Sequence, residues 1–299
     1  MPPKSQLDRT AVGLMVLFCT IWGVQQVAIK FGSAGISPLW QAALRSIGAT
    51  VLVFAWARLR RVRLFETDGT LGAGLLAGLL FAGEFALIFV GLEYTTASRG
   101  VIFLYTAPFF VALGAVWLLP HEHMRPAQWA GMALAFAGVL VLFGENLVGP
   151  AGDAWIGDLL IFLAAMFWAA TTLTVKATVL ARASAEKMLI YQLAVSALVL
   201  PALAVVRGEP GIFAPSAMVW ASLAFQVLIV ATASYLGWFW LIRHYPATRL
   251  SAFSFLTPVL GVLAGGLLLA EPLTPAVWAA LGLVGLGILM ANRPGSAGR

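Results

Sequence analysis

The sequence predicts an all-α integral membrane protein: ten transmembrane helices arranged as two inverted five-helix repeats, with the N-terminus and the C-terminus both cytoplasmic. Three observations predict it. Of 299 residues, 61% are hydrophobic and only 10% charged, and the mean hydropathy is +0.95, a balance that points to lipid as the surrounding solvent. Apolar runs of about 20 residues, the length that crosses a hydrocarbon core, recur along the whole chain. The chain also repeats itself. YTAPFFV around Pro108 is answered by FLTPVLG around Pro258, 150 residues later. Glu122 and Glu271, Pro126 and Pro275, Trp129 and Trp278, and Gly138 and Gly287 are each 149 residues apart. A spacing held to one residue over a helical hairpin marks a duplication.

In chain order, the first five spans are expected at roughly residues 11–31, 37–57, 70–92, 98–119 and 127–144. The second five are expected at roughly 155–177, 186–206, 216–241, 248–270 and 275–292. The repeats are accordingly 1–147 and 148–299, together one transport unit. Lys4 and Arg9 precede the first apolar run as in a signal peptide, but the run continues past Val27 with no small-residue cleavage site; it is expected to be retained as a span. Short connections rich in Gly, Pro, Ser and Asp leave no room for an inserted soluble domain.

Basic residues set the orientation. With the N-terminus inside, Arg58, Arg60, Arg61, Arg63, Arg125, Lys176, Arg182, Lys187, Arg243 and Arg249 fall on the cytoplasmic side, and only Lys30, Arg99 and Arg207 on the other. Five spans per half is an odd number, so the same motif enters the membrane from opposite sides in the two halves. Trp22, Gln25, Gln26 and Lys30 match Trp168, Thr171, Thr172 and Lys176, all displaced by 146. Glu84 and Phe85 match Ser234 and Tyr235, displaced by 150. Inverted repeats are the architecture of secondary transporters, whose two related conformations open a midplane site to opposite sides. Duplication can also yield a symmetric membrane scaffold that moves nothing.

Several classes are excluded. The net charge of +6 and a pI near 9.9 come from basic residues dispersed between spans, not from a nucleic-acid-binding stripe. Cys19 is the single cysteine, so no intramolecular disulfide forms. No paired carboxylates, HExxH, GxSxG or P-loop occur, which argues against an enzyme and against direct drive by ATP. No cofactor is expected. His121 and His123 lack further ligands, so no metal site is expected either.

The segment FLTPVLGVLAGGLLLAEPLTPAVWAALGLVGLGIL, the Trp22-Gly23 pair followed by Lys30, and Arg45 in the second span resemble the EamA-type family of the drug/metabolite transporter superfamily. Pro120-His121-Glu122-His123 departs from the family's usual Gly-Glu pair, and Glu84 stands where many members have an apolar or small residue. The resemblance implies ATP-independent export of small metabolites or drugs from a bacterial inner membrane, and is nearest to the aromatic amino acid exporters.

Arg45 and Glu84 are the two ionisable residues well inside spans. A charge there must face the bundle interior or a water-filled cavity and find a partner. Arg45 fits either a brace between helices or a substrate contact. Glu84 fits either a proton-coupling carboxylate or one satisfied by Arg45 or backbone. Gln25, Gln26, Thr171 and Thr172 put uncharged donors and acceptors beside Trp22 and Trp168 in both halves, a lining that suits a zwitterion with an apolar or aromatic side chain. The same residues also suit helix contacts and interfacial anchoring. Tyr105, Tyr191, Tyr235 and Trp238 are further candidates for a cavity wall. Pro108 and Pro258 should kink their helices, as hinges or as fixed bends. Glu122 and Glu271 are expected to be structural, near the N-termini of the helices that begin at Pro126 and Pro275. Sugar phosphates would require several basic residues in the lumen, so amino acids are preferred, with cationic drugs as the alternative. Two fused halves predict a monomer whose partners are a small-molecule substrate and the lipid bilayer.

Overall fold

The computed structural model describes residues 6–119, 122, 124–147, 152–269 and 273–293. The expectations for Glu271, His121 and His123 lie outside the described residues. Among those described, the secondary structure is helical apart from turns and one isolated bridge between Ile36 and Ile212. In the hydrocarbon core every backbone polar group must be bonded within its own segment, which selects helices.

The first half contains α1 (Arg9–Ser33), α2 (Pro38–Leu59), α3 (Leu71–Gly91), α4 (Ala97–Leu104), α5 (Ala107–Leu118) and α6 (Pro126–Phe143). The second contains α7 (Ala154–Ala177), α8 (Ala185–Val206), α9 (Ala217–Phe225), a π-helical stretch (Gln226–Ser234), α10 (Tyr235–His244), α11 (Ala247–Phe253), α12 (Leu256–Leu269) and α13 (Pro275–Ala291). Among the described residues, nine helical segments are long and apolar enough to cross a membrane. The tenth, α13, has 17 residues, about 25 Å at 1.5 Å per residue.

Starts are signalled locally. Asp8 accepts from Ala11 N, Thr96 from Arg99 N, Ser184 from Lys187 N and Ser216 from Val219 N, each capping the helix that follows. The fourth and ninth spans, expected as single helices, are each two. α4 and α5 part at Tyr105–Thr106, and α11 and α12 part at Ser254–Phe255. Each break lies one helical turn before a proline, Pro108 or Pro258, which lacks an amide hydrogen and crowds the carbonyl four residues back. Thr274 occupies the N-cap of α13, but its side chain makes no capping bond.

The halves pack as equivalents. α6 lies along α13, and α2 along α8. α3 packs on α7 as α1 packs on α9 and the π-helical stretch; α4 and α5 pack on α7 as α11 and α12 pack on α1. Small residues allow the closest approaches. A Cβ on Gly131 would stand 2.7 Å from Gly287 O, and one on Gly138 would stand 2.9 Å from Ala280 O. The repeat maps Gly131 to Ala280 and Gly138 to Gly287, so these two contacts are one contact made twice. A Cβ on Gly23 in α1 would stand 2.7 Å from Gly261 N in α12. The interior is accordingly rich in fully buried alanines, while Leu59, Trp117, Leu198 and Val206 are at least 75% exposed on the outside, the distribution expected where lipid is the solvent.

Candidate functional site

A cavity of about 240 Å³ lies between the halves. Its wall is built from one repeated helical pattern. α1 contributes Trp22, Gln25, Gln26 and Ile29; α4 contributes Ala97, Gly100, Val101 and Leu104; α10 contributes Tyr235, Trp238, Phe239 and Ile242. Each set is spaced i, i+3, i+4, i+7, one face of a helix. α3 extends the same stripe through Phe81, Glu84, Phe85, Ile88, Phe89 and Leu92. Ile161, Trp168, Thr171 and Thr172 come from α7, Gln192 from α8, Tyr105 from the α4–α5 break and Thr257 from α12.

All but two of the residues expected to bind substrate meet here. Arg45 and Tyr191 are not on the wall. The Tyr191 ring lies against Gly74, and its hydroxyl is 3.0 Å from Thr70 Oγ1, because the small residues of α3 admit an aromatic side chain from α8 at that level. The Arg45 guanidinium lies 4.3 Å from the centroid of the Phe85 ring, and it is Phe85 that reaches the cavity. Gln192, Thr257 and the phenylalanines of α3 escaped the sequence reading. The stripe of Phe81, Phe85 and Phe89 was present in the sequence, but on a helix apolar all round no polar face reveals which side is inward.

The wall is predominantly apolar, with aromatic rings meeting across it. Trp22 meets Trp238 edge-on at 5.6 Å and Tyr235 at 6.5 Å; Phe81 meets Tyr235 at 6.2 Å; Tyr105 meets Trp168 at 6.0 Å. Trp22 Nε1 donates to Ser234 Oγ at 2.9 Å, fixing the indole of one half to the other. Trp22 is thus a wall residue, not an interfacial anchor. Among the described residues Glu84 brings the one carboxyl group to the wall. Among the described residues its carboxyl group makes no hydrogen bond and no ion pair within 4 Å, and the Arg45 guanidinium lies against Phe85. Gln25, Gln26, Thr171, Thr172 and Gln192 supply neutral donors and acceptors.

The two ends differ. The wall reaches exposed Leu92 and Ala97, at the end where α1 and α3 finish and α4 starts. The opposite end is closed. Lys176 Nζ, at the end of α7, donates to Ile242 O and Tyr245 O, each at 2.7 Å, and stands 3.4 Å from Glu122 Oε1. Glu122 Oε2 accepts from Thr248 N at 3.2 Å. Glu122 therefore faces the other half of the molecule instead of the start of α6, where Arg125 N donates to Gln128 Oε1 at 2.9 Å. Among the described residues no three His, Cys, Asp or Glu side chains group as a metal site.

A multi-pass helical membrane protein with a cavity between two repeated halves belongs to the class of membrane transporters. The family is shown directly: the EamA-like transporter family matches residues 9–144 and again 155–293, and the chain belongs to it. Among relatives, the uncharacterized transporter YvbV of Bacillus subtilis is 29% identical over 296 residues, covering 98% of this chain and 95% of that protein. The uncharacterized inner membrane transporter YedA of Escherichia coli K12 is 25% identical over 288 residues, covering 94% and 90%. A crystal structure of a protein 23% identical superposes with a TM-score of 0.82 over 94% of this chain and 98% of that one, a likeness of fold. Family and relatives are transporters and indicate no catalytic function.

Proposed function

We propose that the protein is a secondary transporter of the bacterial inner membrane that exports small metabolites, aromatic and apolar amino acids foremost, by alternating access through the cavity between two inverted repeats. One observation carries the reading: an aromatic cavity at the junction of the halves holds one carboxylate and a set of neutral hydrogen-bonding groups. Aromatic faces suit an apolar side chain, Glu84 suits an ammonium group, and the glutamines and threonines suit the remaining polar atoms. In this reading the N-terminus is cytoplasmic, so the open end faces outward and the Lys176–Glu122 contact closes the cytoplasmic side. Lys30 holds the place of Lys176 in the first repeat, at the other end. Pro108 and Pro258 stand beside breaks at which each half can bend. One chain already holds both halves, so the transport unit is a monomer, a point that a native-size measurement in detergent checks.

A second reading is favoured by the absence of Lys and Arg from the wall. A lipophilic organic cation would find Glu84 and the aromatic rings sufficient. The same absence counts against sugar phosphates and nucleotide sugars.

Uptake of labelled phenylalanine, tryptophan, alanine and a cationic dye into proteoliposomes, with and without an imposed proton gradient, tests these readings. Saturable uptake of the aromatic amino acids is expected, and Glu84→Gln should reduce it at least about tenfold, the scale of one lost charge-assisted contact. Uptake of the dye alone would replace the amino acid reading by the cation one. An unchanged rate and unchanged pH dependence in Glu84→Gln would remove the carboxylate from the mechanism.

A further inference from the structure

Arg45 is 1% exposed, and its Nε and Nη2 have no hydrogen-bond partner among the described residues. Such a guanidinium inside a membrane protein is costly, since it has given up water without gaining an acceptor. The guanidinium stands over the face of Phe85, and Phe85 lines the cavity.

The repeat gives this place a counterpart. Counted from the first residues of their helices, Arg45 in α2 and Gln192 in α8 are both eighth. Gln192 lines the cavity, and its Oε1 also lacks a partner. The two equivalent positions therefore hold unsatisfied polar atoms, one on the wall and one a single aromatic ring behind it. In a protein whose halves exchange conformations, the environment of one position becomes that of the other.

We propose that Arg45 is a carboxylate subsite of the transport cavity, covered by Phe85 in the conformation seen here and brought to the wall, where Gln192 now stands, when the halves exchange. With Glu84 as the site for the ammonium group, the cavity then recognises both charges of an amino acid, and a planar guanidinium fork matches a carboxylate with two parallel hydrogen bonds. The inference rests on the amino acid reading and sharpens it: the substrate must carry a carboxylate as well as an amine and an apolar body.

The test is competition against labelled phenylalanine uptake in proteoliposomes by unlabelled phenylalanine, by phenethylamine, which lacks the carboxylate, and by phenylalanine amide, in which it is neutralised. The parent protein is expected to prefer phenylalanine over both analogues by about tenfold or more. Arg45→Gln should bring the ratio toward one by weakening phenylalanine alone. Arg45→Lys, which keeps the charge where removing it prevents folding, should lower the ratio part of the way, because an ammonium cannot reproduce the fork. Equal competition by phenethylamine in the parent, an equal loss for all three ligands in Arg45→Gln, or an unchanged ratio in Arg45→Lys would overturn the proposal while leaving amino acid transport standing. A parent protein that moves no phenylalanine would overturn both.

Discussion

Glu84 and Ser234 hold the same place in the two repeats, yet one is a carboxylate in the cavity and the other a hydroxyl 2.9 Å from the Trp22 indole nitrogen. The asymmetry localises the charge to one side of a symmetric frame. That an acid inside an apolar span turns away from lipid, to the bundle interior or a cavity, was legible in the sequence; which of the two it meets was not. That Arg45 would stand on Phe85 was not, since spacing alone does not say which side chain covers which. Outside the spans, Asp68 sits in the α2–α3 connection, 2.8 Å from Lys187 Nζ, and accepts from Thr70 Oγ1 at 2.6 Å. The hydrogen bond from Lys187, followed by that from Thr70, holds its carboxyl down at about 2. A carboxyl lowered on folding contributes stability that is complete above its unfolded value and is lost as pH falls through the folded one. Asp68→Asn should therefore lower the melting temperature in detergent at pH 6, and the difference from the parent should shrink as pH falls from about 4 toward about 2. A difference that does not vary with pH would show that the carboxylate's charge plays no part.

At the scale of the element, the helices were legible and their interruptions only partly so. Ten apolar runs read directly as spans, and Pro108 and Pro258 marked where two of them bend. The π-helical stretch Gln226–Ser234 left no sign in an apolar sequence with no breaker residue, because an i→i+5 register is chosen by packing. It ends at the residue that Trp22 meets. The α6–α13 contact offers the cleanest test of packing. A Cβ on Gly287 would stand 2.4 Å from Ala135 N and 2.5 Å from Gly131 O, both backbone atoms, whereas a Cβ on Gly285 would meet nothing within 4 Å. Gly287→Ala should destabilise by about 1–3 kcal/mol through overpacking. Gly285→Ala should be neutral or slightly stabilising, because a helical glycine with open space at its Cβ gains from a methyl group. Equal melting temperatures for the two variants would contradict the close contact.

At the scale of the whole molecule, the duplication was the most informative feature of the sequence, because positions 146 to 150 residues apart fixed in advance which side chains answer one another. It did not reveal which end of the cavity is closed, because the repeat sets equivalent residues, such as Lys30 and Lys176, at opposite ends. Lys176, bonded to two carbonyls of the α10–α11 corner and facing Glu122, ties that end shut. Lys176→Met removes the tie. In a Cys19→Ala background, a cysteine placed at Thr172 should then react severalfold faster with a polar thiol reagent added from the side on which Lys176 lies. An unchanged rate would show that the closure does not depend on this contact.

The central claim is that one cavity is exposed alternately to the two sides of the membrane, and counterflow measures it most directly. Proteoliposomes loaded with unlabelled phenylalanine are diluted into a trace of the labelled amino acid. The account predicts a transient accumulation of label above its equilibrium level, larger than in protein-free liposomes and diminished in Glu84→Gln. Label that enters no faster than into empty liposomes, for every amino acid and cation tried, would contradict it.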